Sequence, residues 1–455
     1  MPEFLRLSPP TEALQTLLRA LPDRLPASEN LKTVYTLGRV LAADVRAPHP
    51  LPEFPRSTVD GYAVRARDTF GASESLPGYL TLVGEVPMGD APSFTLTSGA
   101  CALIHTGGML PEGADAMVML EYTQTISHHR EHGEHREKTK KSSVDSVNLS
   151  SPKGAVVKSE IEISRAVAEG ENVLRLGEDV AADQVVLAAG VRVRPAEMGG
   201  CMALGITQLR VATKPRIGII SSGDEVVPPE RSPRPGQVRD VNSYSLAALV
   251  EAAGGEPVLY GIVPDSLEAM KAAAARALTE CEALVVTAGS SASARDTTAE
   301  AIASLGAPGV LVHGVNVRPG KPTILAVCDG KAVIGLPGNP VSALVIAGLF
   351  VVPVIEKLLG AKPKPKASVL AKLTVNLPSQ AGREDWVAVK LLVNREWEMV
   401  NGEWGIGDGE ARYLAEPVFG KSNLIFSLAA ADGLVRILPD ATGVSAGEMV
   451  EVLVL

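Results

Sequence analysis

Between Lys214 and Gly360 the chain repeats one pattern three times: an apolar, β-branched run, a glycine-containing loop, then a segment of helical character. The first copy joins RIGIISSGDE to NSYSLAALVEAAGG, where Leu246, Leu249, Val250 and Ala253 fall on one helical face and Asn242 or Ser243 is expected to cap the helix. The second copy is EALVVTAGSSASARD and the third is KAVIGLPGNPVSALVIAGLF. Strands that alternate with helices can bury both faces only as a parallel sheet covered by helices, which predicts an α/β unit. Ligands of such sheets bind beside the loops at the carboxyl ends of the strands, so the glycine loops are where chemistry is expected.

The chain has 455 residues, more than one core accommodates well, so it reads as α/β multidomain. A helix is expected from about Thr11 to Leu21, then mixed strand and helix from Leu31 to Arg46, then prolines from Pro48 to Pro55. From Tyr79 to Tyr122, short alternating runs separated by glycine and proline predict an all-β inserted domain. The polar run that follows, residues 127–151, cannot bury a core and reads as a solvated excursion. Its histidines, His128, His129, His132 and His135, could collect a divalent metal, but nothing nearby fixes the imidazoles, which favours the solvated reading. KPKPK at 362–366 reads as a linker, and strand-like runs from there to the end predict a C-terminal β domain. The segmentation is therefore 1–50 with 152–190 as an N-terminal linker-type domain, 51–151 as the inserted β domain, 191–361 as the α/β domain and 362–455 as the C-terminal β domain.

A formal charge of -9 argues against nucleic acid and anionic membrane as partners and confines any anion site to a local pocket. The four cysteines, Cys101, Cys201, Cys281 and Cys328, lack metal or redox spacing and read as buried thiols. The N-terminal residues lack the pattern of a signal peptide, and the apolar run from Val341 to Leu359, with Pro353 inside it, reads as a buried helix. A cytoplasmic protein is expected.

Two loops carry candidate anion chemistry. In LPGNPVSA, Asn339 is a helix cap, Pro340 suits the first helical position, and Ser342 falls in the first turn, where free amides favour an anion. An ordinary capped helix start explains those residues equally well. In VHGVNVRPGKPT, which opens near His313 and ends at Thr323, Arg318 and Lys321 flank a Pro-Gly turn, an arrangement suited to a small oxyanion. Neither this Gly-Lys pair nor Gly420-Lys421-Ser422 makes a nucleotide P-loop: Pro322 follows Lys321, and Ala415 stands where the second motif needs its first glycine. Asp60, Asp224, Asp240 and Asp296 lie near loops, where carboxylates can hold magnesium against phosphate or simply form turns and caps.

The motifs STVDGYAV, IHTGGMLPEGADAMVML, RLGEDV, IGIISSGDE, RDVNSYSL, GSSASARDTT, VRPGKPT, GLPGNPVSA, GREDWVAV and ADGLVRIL occur in one order across nearly the whole chain. In this they resemble the molybdopterin molybdenumtransferases, the family of MoeA and the E domain of gephyrin. The resemblance implies an elongated homodimer of four-domain subunits with a molybdopterin-binding-like α/β domain. It also implies magnesium-dependent cleavage of molybdopterin adenylate with transfer of molybdenum from molybdate to the dithiolene sulfurs, releasing AMP. By position, Arg318, Lys321, Pro322 and Ser342 match the family's molybdate loops, joined by Arg383 and Ser422. Asp296 and Ser291 match the region that handles the adenylate phosphate and magnesium, with Asp240 a second magnesium candidate. Asp60, Asp224, Thr106 and Glu197 match other polar positions of the family cleft, some reaching it from the opposite subunit, and Asp60, Asp240 and Asp296 are the candidates for the reaction itself. Contact with the molybdopterin adenylyltransferase that supplies the adenylate is also implied. The loop after Val286 carries Ser290, Ser291 and Arg295 where the family often has glycine, and Arg318 stands where lysine is common. The alternatives are a scaffolding or cofactor-binding protein with a vestigial cleft, and a tungstate-preferring insertase; Asp296, Arg318, Lys321, Ser342 and Arg383 together favour the enzyme.

Overall fold

The computed structural model describes residues 7–126, 159–288, 292–394 and 412–455, and the polar run with its four histidines lies outside them. The chain divides into two compact units, one formed by residues 1–43, 188–198 and 207–455, the other by 44–187 and 199–206.

The larger unit holds the repeating region. Its sheet runs Glu256–Val263, Arg216–Ser222, Ala283–Ala288, Lys331–Pro337, Ile324–Cys328, Pro308–His313. The first four strands are parallel, as the repeat predicts. The last two are antiparallel, a correction to the all-parallel expectation. The reason is local: a tight turn with Asp329 at φ 49° and Gly330 at φ 79° connects Ile324–Cys328 to Lys331–Pro337, too short for a crossover helix.

Side chains alternate across this sheet. Ile217, Ile219, Val285 and Ile334 join one core with the helices Pro10–Ala20, Asn242–Ala253 and Pro340–Leu358. Ile220, Leu284, Val286 and Val333 point to the other face, under Leu267–Glu280 and Ala292–Ala303. Pro340–Leu358 is long and apolar enough to cross a membrane by composition, yet Phe350, Ile346 and Ile355 are fully buried in the first core. Its apolarity is that of a helix clasped on two sides. Val345 on a second face packs against Leu428 and Leu434 of the C-terminal region.

That region closes on itself. Glu384–Val393 pairs with Tyr413–Pro417, which pairs with Ser368–Leu373, then Met449–Val454, then Gly433–Ile437, which returns to Glu384–Val393. Ring closure leaves the inward residues Ala371, Val389, Val435 and Val452 fully buried.

The smaller unit carries a six-stranded sheet in the order Ala116–Met119, Gly61–Val64, Ala100–Ile104, Gly78–Val86, Glu160–Ile163, Thr123–Ile126. It is the β unit expected from Tyr79 to Tyr122, with two changes. Gly61–Val64 supplies a central strand before it, and Glu160–Ile163 supplies another beyond residue 151. In the segment from Leu31 to Arg46, no α-helix forms: Ser28–Lys32 pairs with Gln208–Ala212, a single 3-10 turn covers Thr33–Tyr35, and Val45–Arg46 forms a short strand.

All four cysteines are buried and unbridged, so they act as small apolar side chains. Burial pushes the Cys101 thiol up to about 12 and the Cys328 thiol up to about 11, so neither is thiolate at neutral pH. A disulfide reagent at pH 8 is expected to modify less than one thiol per native chain and four in guanidinium; rapid native labelling of two or more would contradict this packing.

Candidate functional site

The basic loop is shaped by its own backbone. Val315 N–H donates to Lys321 O at 2.9 Å, Gly314 N–H to Thr323 O at 2.8 Å, and the buried Thr323 hydroxyl to Gly320 O at 2.6 Å. Gly320 sits at φ +113°, and a Cβ there would lie 2.2 Å from Ile346 Cγ1. Only glycine lets the loop lie directly on the Pro340–Leu358 helix. Ile346 is four residues past Ser342 and shares its helical face, so the loop that carries the exposed Arg318 and Lys321 rests on the N-terminal half of this helix.

A second constraint comes from the C-terminal barrel. Val317–Arg318 adds to Glu384–Val393 as a parallel pair, with Val317 opposite Glu384 and Arg318 opposite Asp385. Glu384 N–H donates to Asn316 O at 3.2 Å, and the Asn316 amide donates to Gly382 O. This pairing delivers Arg383 to the same place. Its guanidinium grips Asp385 with two bonds, Nε to Oδ1 at 2.6 Å and Nη2 to Oδ2 at 2.9 Å, while Arg318 Nη1 lies 3.9 Å from that Oδ2. Asp385 is only 4% exposed and aligns both arginines. Arg318 and Arg383 share the one carboxylate of Asp385, a surplus of one positive charge, and Lys321 adds another on the same loop. Glu384 beside it does not reduce that surplus, since it is held by Arg436 at 2.6 Å and by the Trp386 indole at 2.8 Å. Sequence reasoning missed Asp385. It lies inside GREDWVAV, and its signal was a carboxylate two residues from a proposed oxyanion arginine.

The Pro340–Leu358 helix starts as expected, with Pro340 first and the buried Ser342 in its opening turn. The cap is a correction. Asn339 occupies the cap position at φ -68° and ψ 124°, but its side chain makes no capping bond. Instead its amide donates to Ser422 Oγ at 3.0 Å, and Val341 N–H donates to Ser422 O at 3.0 Å. Asn339 therefore docks the Ser422 segment onto the start of the helix that carries Ser342.

The acidic candidates divide. Asp240 is buried, its Oδ1 accepting Ser243 N–H at 3.1 Å and facing the Ser221 hydroxyl at 3.4 Å. It caps the Asn242–Ala253 helix in place of Asn242 or Ser243; Asn242 turns its amide to Gly338 O at 2.8 Å, beside the Asn339 turn. Asp224 is exposed and accepts Asp265 N–H at 3.3 Å. Burial, then the nearby Glu225 and Asp224 carboxylates, push the Asp265 carboxyl up. Glu197 reaches back to Arg194, taking its backbone N–H at 3.0 Å and pairing with its guanidinium, and the Arg194 bond holds the Glu197 carboxyl down at about 2. That is a helix-start lock, and it occupies the carboxylate expected in the cleft. Asp296 lies on the Ala292–Ala303 helix. Ser291 lies outside the described residues. In the smaller unit, Thr106 N–H donates to Asp60 Oδ1 at 2.8 Å, so these two are neighbours. Among the described residues, no three His, Cys, Asp or Glu side chains form a metal cluster.

Residues 8–205 match the MoeA N-terminal region (domain I and II), 218–357 the "Probable molybdopterin binding domain", and 371–455 the MoeA C-terminal region (domain IV). A molybdopterin molybdenumtransferase of a Nostoc species is 32% identical, covering 92% of this chain and 86% of its own length. The chain belongs to the molybdopterin molybdenumtransferase (MoeA) family. Another member, molybdopterin molybdenumtransferase 2 of Mycobacterium tuberculosis, is 32% identical over 91% of this chain and 92% of its own. The crystal structure of a molybdopterin biosynthesis MoeA protein from Pyrococcus horikoshii OT3 is 30% identical and covers 99% of this chain and 100% of its own, with a TM-score of 0.76. The mixed α/β unit, the inserted β unit and the C-terminal barrel are thus the family fold.

Because Gly320 is pressed on Ile346, Gly320→Ala is expected to cost about 1–3 kcal/mol and to weaken oxyanion binding by moving Arg318 and Lys321. Calorimetry of unfolding and of molybdate binding checks this, and a fully stable, fully binding Gly320→Ala protein would sink the packing argument.

Proposed function

We propose that this protein acts in molybdenum cofactor biosynthesis as a molybdopterin molybdenumtransferase, transferring molybdenum from molybdate to adenylylated molybdopterin with release of AMP. The observation that carries the reading is the pair Arg318 and Arg383 ordered on the buried Asp385, on a loop that also bears Lys321 and packs through Gly320 on the helix that Ser342 opens. A tetraoxo dianion needs that: diffuse positive charge, several donors in different directions, and a helix start behind it. A scaffold has no use for such a pocket, and the family match does not favour that alternative.

In this reading the chain's residues mainly bind and orient. Arg318 and Arg383, aligned on Asp385, and Lys321 neutralise molybdate, while Pro322 keeps the lysine on its turn. Adenylate lies at the carboxyl ends of the parallel strands, handled by Ser291, Asp224, Asp240 and Asp296. Magnesium, when bound, supplies neutralisation of the substrate phosphates. Asp240 and Asp296 are proposed to hold it. The buried Asp240, and Asp296 on the Ala292–Ala303 helix, would offer the carboxylate oxygens that magnesium takes. Asp60 and Thr106 are proposed to complete the cleft from a second subunit of a homodimer, with Glu197 at its margin. A cytoplasmic setting and contact with the adenylyltransferase belong to the same proposal.

AMP release from molybdopterin adenylate with magnesium, compared without oxyanion and with molybdate or tungstate, tests it. Oxyanion-stimulated release is expected and also reads the molybdate or tungstate preference, whereas no release by folded protein would overturn the reading. Asp296→Ala is expected to fold normally and lose AMP release by at least about a hundredfold. Lys321→Ala is expected to raise the molybdate concentration needed by about tenfold or more while leaving adenylate binding intact. Unchanged molybdate dependence would remove Lys321 from the pocket.

A further inference from the structure

Asp60 does not stand alone in the smaller unit. It immediately precedes the Gly61–Val64 strand, whose Gly61 is opposite Ile104 in the antiparallel partner Ala100–Ile104, so the next residue, His105, comes level with Asp60. Gly78–Val86 runs parallel on the other side of Ala100–Ile104, with Val86 opposite Ile104, which brings Glu85 to the same end of the sheet. The imidazole lies between two carboxylates. His105 Nδ1 is 3.5 Å from Asp60 Oδ1, and Nε2 is 3.2 Å from Glu85 Oε1. Each ring nitrogen meets an acceptor, and the doubly protonated ring is the form that donates to both.

The backbone around this trio is fixed. Gly107 N–H donates to Ser57 O at 2.8 Å and Ser57 N–H to Gly108 O at 3.0 Å, tying the His105 turn to the segment before Asp60. Gly61 is pressed so closely on the neighbouring strand that an added Cβ would lie 2.0 Å from Val118 O. Asp60 therefore has little backbone freedom, and the direction of its carboxylate is set by Thr106 N–H and His105. The Thr106 amide, with His105 contributing further, holds the Asp60 carboxyl below the usual carboxylate range.

We propose that His105 is a positioning residue: held from behind by Glu85, it keeps the Asp60 carboxylate ionised and aimed, on the reading that Asp60 serves the proposed transfer. His105 itself touches no reacting atom in this scheme. The arrangement gives a half-exposed aspartate fixed partners on its Oδ1, the Thr106 amide and the His105 ring.

The test uses the full chain with His105→Ala and Glu85→Gln, each first shown to unfold at a wild-type temperature. The Thr106 amide resonance, which reports ionisation of the carboxylate it donates to, is followed through acid titration. Its midpoint is expected to rise in His105→Ala, and by less in Glu85→Gln, as a favourable charge is lost or loosened. With turnover, kcat for AMP release should fall on the order of tenfold in His105→Ala while the KM for molybdate stays unchanged. A midpoint unmoved in both variants would overturn the proposal, showing the ring merely packs there. Absence of AMP release from wild type would overturn the transferase reading instead, and the amide titration would still decide the His105 contact.

Discussion

The basic loop and the barrel share two residue pairs, Val317 against Glu384 and Arg318 against Asp385, and the rest of the proposed oxyanion pocket hangs on this parallel contact. A loop bearing Arg318 and Lys321 on a Pro-Gly turn would otherwise spread its charges into solvent, where long side chains lose little by wandering. Strand addition fixes the backbone under Arg318, and the register places Asp385 opposite it, so that one buried carboxylate orders two guanidinium groups. The glycine at 320 then lets the ordered loop settle on Ile346 beside the Pro340–Leu358 helix. Pairing, charge and close packing converge on one place.

Asp385 also resolves an electrostatic problem. Three cations converging without a counter-charge repel one another and destabilise the fold before any ligand arrives. One buried carboxylate relieves that repulsion yet leaves enough positive charge for a dianion. Glu384, its neighbour, is consumed by Arg436 and Trp386 on the other side of the strand, as side-chain alternation requires. The pocket's sign is thus set by which of two adjacent acids faces which way.

Much of this was legible in the sequence. The three strand–loop–helix repeats announced the parallel core, and Pro340 followed by Ser342 announced a helix start. The motif resemblance put Arg318 and Arg383 in one set, and in the structure the two share Asp385. Side-chain partnership was less legible, because it depends on residues far apart in the chain. Asn339 and Asn242 looked like caps, but each spends its amide on a tertiary contact, Ser422 and Gly338, while Asp240 takes the capping task. Glu197's short-range lock on Arg194 was likewise not indicated by the motif that carries it. The antiparallel edge of the sheet followed from a turn too short for a helix, which the apolar pattern alone did not distinguish from another crossover.

The pocket is most directly tested by locating its anion. Crystals soaked in molybdate and measured on both sides of the molybdenum absorption edge should give an anomalous peak among Arg318, Lys321, Ser342, Arg383 and Ser422, and Arg383→Ala crystals should lose it. A fully occupied molybdenum site elsewhere in the wild-type protein, with none among these residues, would contradict the account.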